Sequence, residues 1–172
     1  LTWHWRNAHK VEDLRAKIQE LRNDHDGRVT NRFVEAVRLF SSNDMATRLG
    51  GVYALRRIAY DSPRDRDAII DVFCTWLRKR GRDAKPEPNL DPDDIGDLLQ
   101  EDRPVIQAVI NAIGAIGHAF PIGMTFDLTD ADLSEAEFVG NFDGAKFDRA
   151  HLFRCSFRRA SILNANFVSA FL

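Results

Sequence analysis

Histidine and cysteine are the residues best suited to bind a metal ion or to carry out nucleophilic chemistry, and their spacing here does not favour either role. No two of the five histidines lie four residues apart, the spacing that places two ligands on one helix face. The two cysteines, Cys74 and Cys155, are too few for a disulfide framework, which favours a reducing compartment. We therefore expect neither a metal site nor a cofactor.

Two further stretches resemble binding motifs only in part. Residues 91–102 resemble a calcium-binding loop, but Ile95 stands at an oxygen-ligand position and Asp102 replaces the closing Glu. A capped short helix is the alternative. Gly50 and Gly51 lack the residues of a phosphate-binding loop, and tight helix packing is the alternative reading. Because no nucleophile motif is present either, the sequence predicts a protein that is not an enzyme.

The charge of the chain narrows the choice of partners. Its 172 residues carry 24 basic and 26 acidic side chains, a formal charge of −2, which excludes a generally basic nucleic-acid coat. Residues 78–82 form the densest basic run and could contact phosphates or anionic lipid, although a solvated helix end explains them equally well. No apolar run approaches 18 residues, so we expect the chain itself to be soluble.

Helical periodicity dominates the first 120 residues. Residues 1–27 read as an amphipathic helix of juxtamembrane character, because Trp3 and Trp5 suit a membrane–water interface. Residues 28–120 read as an α-helical domain, similar to a HEAT or armadillo stack, that contains a loop over 82–102. The residues before Met45 and after Asp61 supply helix start signals, with Ser62 as the expected cap of the following helix. The last helix of this domain is expected to begin at Pro104.

The C-terminal residues repeat with a period of five. A large apolar residue recurs on this period, and two residues before it stands Ala or Gly in eight of ten cases. This period fits neither a helix nor a flat strand, so we expect a chain that turns a corner every five residues with both positions facing inward. The large positions form a structural ladder of Leu128, Leu133, Phe138, Phe142, Phe147, Leu152, Phe157, Ile162, Phe167 and Leu172.

This pattern resembles the pentapeptide-repeat family, whose unit is Ala-(Asp/Asn)-Leu-x-x. The resemblance implies a right-handed quadrilateral β-helix over residues 121–172, and hence an α+β fold in which an α-helical bundle precedes a short β-helix. Residues 136–139 form a unit of only four residues, so a bulge or loop is expected there. The helix from Pro104 to Ala119 is the expected cap of the lower end, while the upper end has an unpaired edge where either the native chain continues or another chain pairs. Cys155 stands at a small position and is expected to be a buried hydrophobic residue.

A narrower resemblance concerns residues 48–65. They are similar to a stretch of bacterial pentapeptide-repeat proteins in which transmembrane segments precede a helical domain and the quintets. The resemblance implies a membrane anchor outside this chain and a location on the cytoplasmic side of the inner membrane for the full-length protein.

These observations predict a non-catalytic scaffold or protein-interaction module. Its contacts are expected on the faces of the repeat, including Arg149, Arg154, Arg158 and Arg159, and at the open end, where a second copy could also pair. The alternative is a DNA-mimicking protein that binds DNA gyrase, as some members of the family do. Acids prevail over residues 126–148 but bases over 149–159, and this change of sign argues against mimicry and against nucleic acid as a partner.

Overall fold

The fold is known from a computed structural model that describes residues 31–83, 92–121 and 123–172, except for the side chains of 81–83 and 92–101. Residues Ala36–Leu172 form one compact unit and Leu1–Glu35 form another. The helix predicted over 1–27, with Trp3 and Trp5, lies outside the described residues, as does the part of the predicted loop between residues 84 and 91.

Four helices make up the first part of the described chain. Residues 31–40 are helical and are called α1, and they are followed by α2 (Met45–Asp61), α3 (Arg66–Asp83) and α4 (Pro92–Ala119). Asp44 caps α2, since its carboxylate accepts hydrogen bonds from the backbone N–H and the hydroxyl of Thr47 at 2.7 and 2.5 Å. Ser62 forms no side-chain cap, and a single 3-10 turn over Pro63–Asp65 leads into α3 instead.

The last helix differs from the sequence-based expectation. Helix α4 runs without a break from Pro92 to Ala119, with Pro104 inside it, where we expected a loop up to residue 102 and a new helix start. Proline removes one helical hydrogen bond, and the burial of Val105, Val109 and Ile113 outweighs this loss.

Apolar residues of the four helices form one core. Phe40 of α1 meets Phe73 of α3 edge to face at 5.6 Å between ring centroids. Gly51 of α2 is buried against the backbone of Phe40, and a Cβ at this position would overlap that backbone. The remaining core side chains are fully or almost fully buried and include Val52, Leu55, Ile58, Ile69, Ile70, Leu77, Ile110 and Ile116.

The predicted fold class is wrong in its β part and in its likeness to a helical repeat. Residues 126–172, called the C-terminal segment, contain only two regular strands, β1 (Glu137–Asn141) and β2 (Ser156–Ser161). They pair in parallel as an open two-stranded sheet, so the closed right-handed quadrilateral β-helix is not observed. The described helical part also has only four helices, fewer than the three or more helix pairs that a stable HEAT or armadillo stack needs.

Tight turns explain why strands are so short in the C-terminal segment. Seven turns close with a backbone hydrogen bond of 3.0 to 3.2 Å between residues three apart, from Leu128–Ala131 to Phe167–Ala170. The third residue of each turn has a positive φ, and only Gly144 among them is glycine; the other six are Asp130, Glu135, Arg149, Arg154, Asn164 and Ser169. This φ pattern is typical of type II turns. A left-handed residue in every quintet interrupts the extended backbone, so most pairing is reduced to isolated bridges.

Those bridges nevertheless align chain positions that are 19 or 20 residues apart. We call each stretch of this length a pass of the chain, the first pass beginning at residue 126. Asp127 pairs with Lys146 and Lys146 with Asn166, all in parallel. The pairing of β1 with β2 shifts register between Glu137 and Val139. The irregularity expected at residues 136–139 is therefore confirmed, because the four-residue unit stands opposite five residues of the next pass of the chain.

The ladder residues become more exposed along the C-terminal segment. The first six, from Leu128 to Leu152, are at most 2% exposed. Phe157, Ile162 and Phe167 are half-buried, and Leu172 is 85% exposed. Rings stack between successive passes of the chain, with Phe147 on Phe167 at 4.9 Å between centroids.

Candidate functional site

The helices hold the first pass of the C-terminal segment through polar side chains. The Gln107 amide of α4 donates to the carbonyl of Glu137 at 2.7 Å and accepts from the N–H of the same residue at 2.9 Å. Arg103 pairs with Glu135 at 2.5 Å, and Arg78 of α3 pairs with Asp127. The Gln107 side chain thus satisfies both backbone groups of Glu137 on the edge of β1 that β2 does not use. Residues 104–119 do contact the first pass of the C-terminal segment, which is the end where the sequence predicted a cap.

Close backbone packing reinforces the same junction. Gly114 of α4 lies against the carbonyl of Val139, and Gly117 lies against that of Asn141. A Cβ at either glycine would overlap these atoms, and the ring of Phe142 also lies against Gly114. The helical core and the C-terminal segment are therefore joined rigidly within Ala36–Leu172.

Opposite charges stack between successive passes of the C-terminal segment. Arg149 donates to both carboxylate oxygens of Asp130, at 2.8 and 2.9 Å, and this hydrogen bonding raises the pKa of Arg149. Lys146 lies beside Asp127. Burial alone would raise the pKa of Asp127, but hydrogen bonds from Thr129 and the charges of Arg78 and Lys146 outweigh burial and lower it. The first pass is thus acidic, and Arg149 of the second pass pairs with one of its acids.

The four arginines singled out in the sequence do not form one equivalent set. Arg149 is bound to Asp130, as described above. Arg154 is exposed and lies over the ring of Phe153, 5.0 Å from its centroid. Arg158 and Arg159 are exposed in β2. Among the described residues, no carboxylate pairs with Arg154, Arg158 or Arg159.

Large apolar side chains are exposed in the same part of the chain. Phe153, Leu163, Val168 and Phe171 are between 55% and 68% exposed. The first three each occupy the second position of a tight turn, which points outward, whereas Thr129, Ser134 and Asp143 occupy the matching positions of the first pass. Phe171 stacks on His151 at 4.7 Å between ring centroids. We call Phe153, Leu163, Val168 and Phe171 the apolar rim.

A second candidate surface is a groove between α1 and α3. Its cavity of about 390 Å³ is lined by Val37, Phe40, Ser41, Asp71, Val72, Thr75, Trp76 and Lys79. Trp76 is half-buried and forms part of this lining. Only the approach of α1 to α3 creates this groove, so no motif could have revealed it.

Beside the groove, Trp76 adjoins a cluster of ion pairs. The Asp102 side chain is 10% exposed and accepts a hydrogen bond from Arg48 at 2.7 Å, and it also pairs with Arg80. Both guanidinium groups lie 5.9 Å from the centroid of the Trp76 ring. The sequence analysis placed Asp102 at the last position of a possible calcium-binding loop, whereas in the structure its carboxylate joins α2, α3 and α4.

Groups that could bind a metal ion, and the two cysteine thiols, can be located in the part of the chain that the structure describes. No group of three His, Cys, Asp or Glu residues could hold a metal ion there. Burial raises the pKa of the Cys74 thiol to about 12 and that of Cys155 to about 11. The Cys155 thiol donates to the carbonyl of Leu133 at 2.8 Å, and the residue is half-buried, where the repeat pattern predicted full burial.

Within residues 31–83, 92–121 and 123–172, no helix combines the length and apolar character needed to cross a bilayer.

Comparison with protein-family models, with curated proteins and with solved structures finds no match for this chain.

Proposed function

We propose that this chain is a non-catalytic protein-interaction module and that the groove between α1 and α3 binds an amphipathic helix of a protein partner. The observation that carries the proposal is the groove itself, an open apolar cavity flanked by helices and containing Phe40 and Trp76. Grooves of this kind accept the apolar face of a helix, and aromatic residues are frequent among the side chains that contribute most to such binding.

Charge and length define the expected partner further. Asp71 and Lys79 line the groove eight residues apart on α3, which separates them by about 12 Å along the helix axis. A bound helix of about two turns would place a basic residue near Asp71 and an acidic residue near Lys79. Apolar side chains at positions i, i+3, i+4 and i+7 would face Val37, Val72 and Trp76.

The family resemblance supports the remainder of the proposal. The five-residue pattern is similar to that of pentapeptide-repeat proteins, and residues 48–65 are similar to members that carry a membrane anchor. We therefore place the full-length protein on the cytoplasmic side of the inner membrane, where this chain would present its groove to partners.

The DNA-mimicking alternative gains no support from the charges. Mimicry of duplex DNA needs a continuous stripe of unpaired acids. Asp130 is paired with Arg149, and Asp127 is flanked by Arg78 and Lys146. If purified protein left DNA supercoiling by gyrase unchanged, this alternative would be excluded.

Site-specific crosslinking tests the proposed groove. A photoreactive amino acid at Thr75 in the full-length protein should crosslink a defined partner in cells, and mass spectrometry should locate the crosslink in a helix of that partner. The purified partner should then bind this chain, and Val72→Glu should weaken binding at least 10-fold. Val34→Glu is the matched control, since Val34 is 61% exposed and does not line the groove. Equal binding by both variants would refute the groove as the site.

A further inference from the structure

Three successive passes of the C-terminal segment share one outward face. Backbone hydrogen bonds join each of its stretches to the next, and these stretches are residues 129–135, 148–154 and 168–172. Asp132, His151 and Phe171 form a column along the middle of this face, because parallel bridges pair the first with the second and the second with the third. We call this surface the His151 face.

The exposed apolar side chains of the His151 face are neighbours. Phe171 stacks on His151 in the middle of the face. Phe153 stands at one border, two residues after His151, and Val168 stands at the other border, three residues before Phe171. These three apolar side chains are between 55% and 62% exposed. Leu163 is not part of this set, since it follows Phe153 by ten residues, about half a pass, and projects from the other side of the segment.

Charge pairing differs between the two borders of this face. At one border Arg149 binds both carboxylate oxygens of Asp130, the residue 19 positions earlier. The equivalent residues at the other border, also 19 positions apart, are Glu135 and Arg154. Arg103 of α4 binds Glu135 instead. Arg154 is therefore exposed and has no carboxylate partner among the described residues.

An aromatic ring holds this arginine in a position suited to a carboxylate. The Arg154 guanidinium lies over the ring of Phe153, 5.0 Å from its centroid. A guanidinium that stacks on a ring still presents the N–H groups at its edge, and these can donate two parallel hydrogen bonds to one carboxylate. Arginine and aromatic side chains are also prominent among the residues that contribute most to protein interfaces.

The other charges of the His151 face argue against a partner rich in phosphate. Acids outnumber bases by four to two in its three stretches, the acids being Asp130, Asp132, Glu135 and Asp148 and the bases Arg149 and Arg154. This excess repels an anionic bilayer or a nucleic acid, which carries negative charge over a wide area. A single carboxylate placed at Arg154 avoids the acids.

We infer that the His151 face binds a segment of another protein in which an acidic side chain stands beside apolar side chains. The carboxylate of that segment pairs with Arg154, and its apolar side chains pack on Phe153 and on the exposed ring of Phe171. The inference is independent of the proposed groove, whose lining includes none of these residues.

Selection from a phage library of random 12-residue peptides, with the whole 172-residue chain as target, tests this inference. Enriched peptides should carry Asp or Glu beside apolar residues. Each enriched peptide is then labelled, and its Kd is measured by fluorescence anisotropy. Replacing its acidic residue with the corresponding amide should weaken binding at least 10-fold, because the charge-assisted hydrogen bonds are lost. If no enriched peptide depended on an acidic residue, the inference would be wrong.

Two pairs of variants locate the site on the protein. Arg154→Gln and Phe153→Ser should each weaken peptide binding at least 10-fold. Arg158→Gln and Leu163→Ser are the matched controls, since they make comparable exchanges at exposed positions outside the His151 face and should change Kd less than 2-fold. On Arg154→Gln protein the acidic peptide and its amide should bind alike, a result that misfolding alone would not produce. Equal losses in variants and controls would refute the site.

Other occupants of this face predict different results. If every acidic peptide bound Arg154→Gln normally and failed only with Val72→Glu, the peptides would occupy the groove and the inference would be lost. A wild-type dimer that Arg154→Gln dissociated in analytical ultracentrifugation would assign the face to a second copy of the chain. Sedimentation with phosphatidylglycerol vesicles that Phe153→Ser abolished would assign it to lipid. Either of these two results would overturn the inference and leave the proposed groove unaffected.

Discussion

Gly114 of α4 and Gly140 of β1 meet backbone to backbone. A Cβ on Gly140 would overlap the carbonyl group and the Cα of Gly114, and a Cβ on Gly114 would overlap the carbonyl of Val139. Gly140 also has a φ of 106°, which other residues rarely adopt. The helix and the strand can approach this closely only because neither residue has a side chain.

The first prediction concerns this contact. Gly114→Ala should lower the free energy of unfolding by about 1–3 kcal/mol, because the added methyl group must displace backbone atoms. Gly50→Ala is the control: Gly50 lies in α2 with open space around its Cβ position, and this change should stabilise the protein by up to about 1 kcal/mol. Urea denaturation followed by circular dichroism measures both. Equal effects would show that the junction is not tightly packed.

A second prediction concerns the Gln107 amide. Gln107→Leu removes both hydrogen bonds to Glu137, and the free energy of unfolding should fall by about 1 kcal/mol, since water can partly replace them at this exposed site. Asn111→Ala removes only the acceptor of a second Gln107 hydrogen bond and should cost less. Hydrogen exchange of the Glu137 amide should accelerate in Gln107→Leu. Unchanged exchange at that amide would contradict the assigned role.

Turn conformation supplies a third prediction. Gly144 has a φ of 71° and open space at its Cβ position, so Gly144→Val should lower stability by about 1–2 kcal/mol through backbone strain alone. Gly144→Asn should cost much less, because Asn tolerates the left-handed conformation, as Asn164 does in the corresponding turn of the next pass. Thermal unfolding ranks the variants. An equal loss for Val and Asn would refute strain as the cause.

The two cysteines supply a fourth prediction. With thiol pKa values of about 12 for Cys74 and about 11 for Cys155, very little thiolate is present at pH 8. Alkylation of the folded protein should therefore be at least about 100-fold slower than that of the urea-unfolded chain. Cys155→Ser reports on Cys74 alone. Rapid alkylation in the folded state would show that the thiols are not packed as described.

The fifth prediction follows from the lowered pKa of Asp127. Because this carboxyl has a lower pKa in the folded than in the unfolded chain, its contribution to stability is complete above the unfolded value, about 4, and is lost as the pH falls through the folded value. Asp127→Asn should therefore make stability less dependent on pH below about 4. Parallel pH profiles for wild type and variant, from urea denaturation, would contradict this assignment.

Part of this architecture could be predicted from residue spacing. The alternation of small and large residues every five positions indicates turns with an inward ladder, and the short unit at residues 136–139 indicates the register shift after Glu137. Asp44 could be recognised as the cap of α2, because Asp is a common cap residue and directly precedes an apolar run of helical period. These features depend on neighbours in the sequence.

Other features depend on contacts between distant residues and could not be predicted in this way. The period of five fixes where the chain turns, but not how many residues between turns pair as strand, so the β-helix prediction was wrong. Pro104 looked like a helix start, yet the packing of the residues after it keeps α4 continuous. The groove at Trp76 arises only where α1 approaches α3, and no local signal marks it.

The Gln107 contact has a consequence for the order in which the molecule forms during translation. The helices leave the ribosome before the C-terminal segment. The side chains of Gln107, Arg103 and Arg78 are therefore already available to bind its first pass when that pass is synthesised. Each later pass can then pair with an edge that already exists. The unfavourable entropy of forming the first pass therefore arises only once, when that pass docks on the helices. Growth in one direction, from the N-terminus, also keeps the edge of β1 covered while the rest of the chain is synthesised.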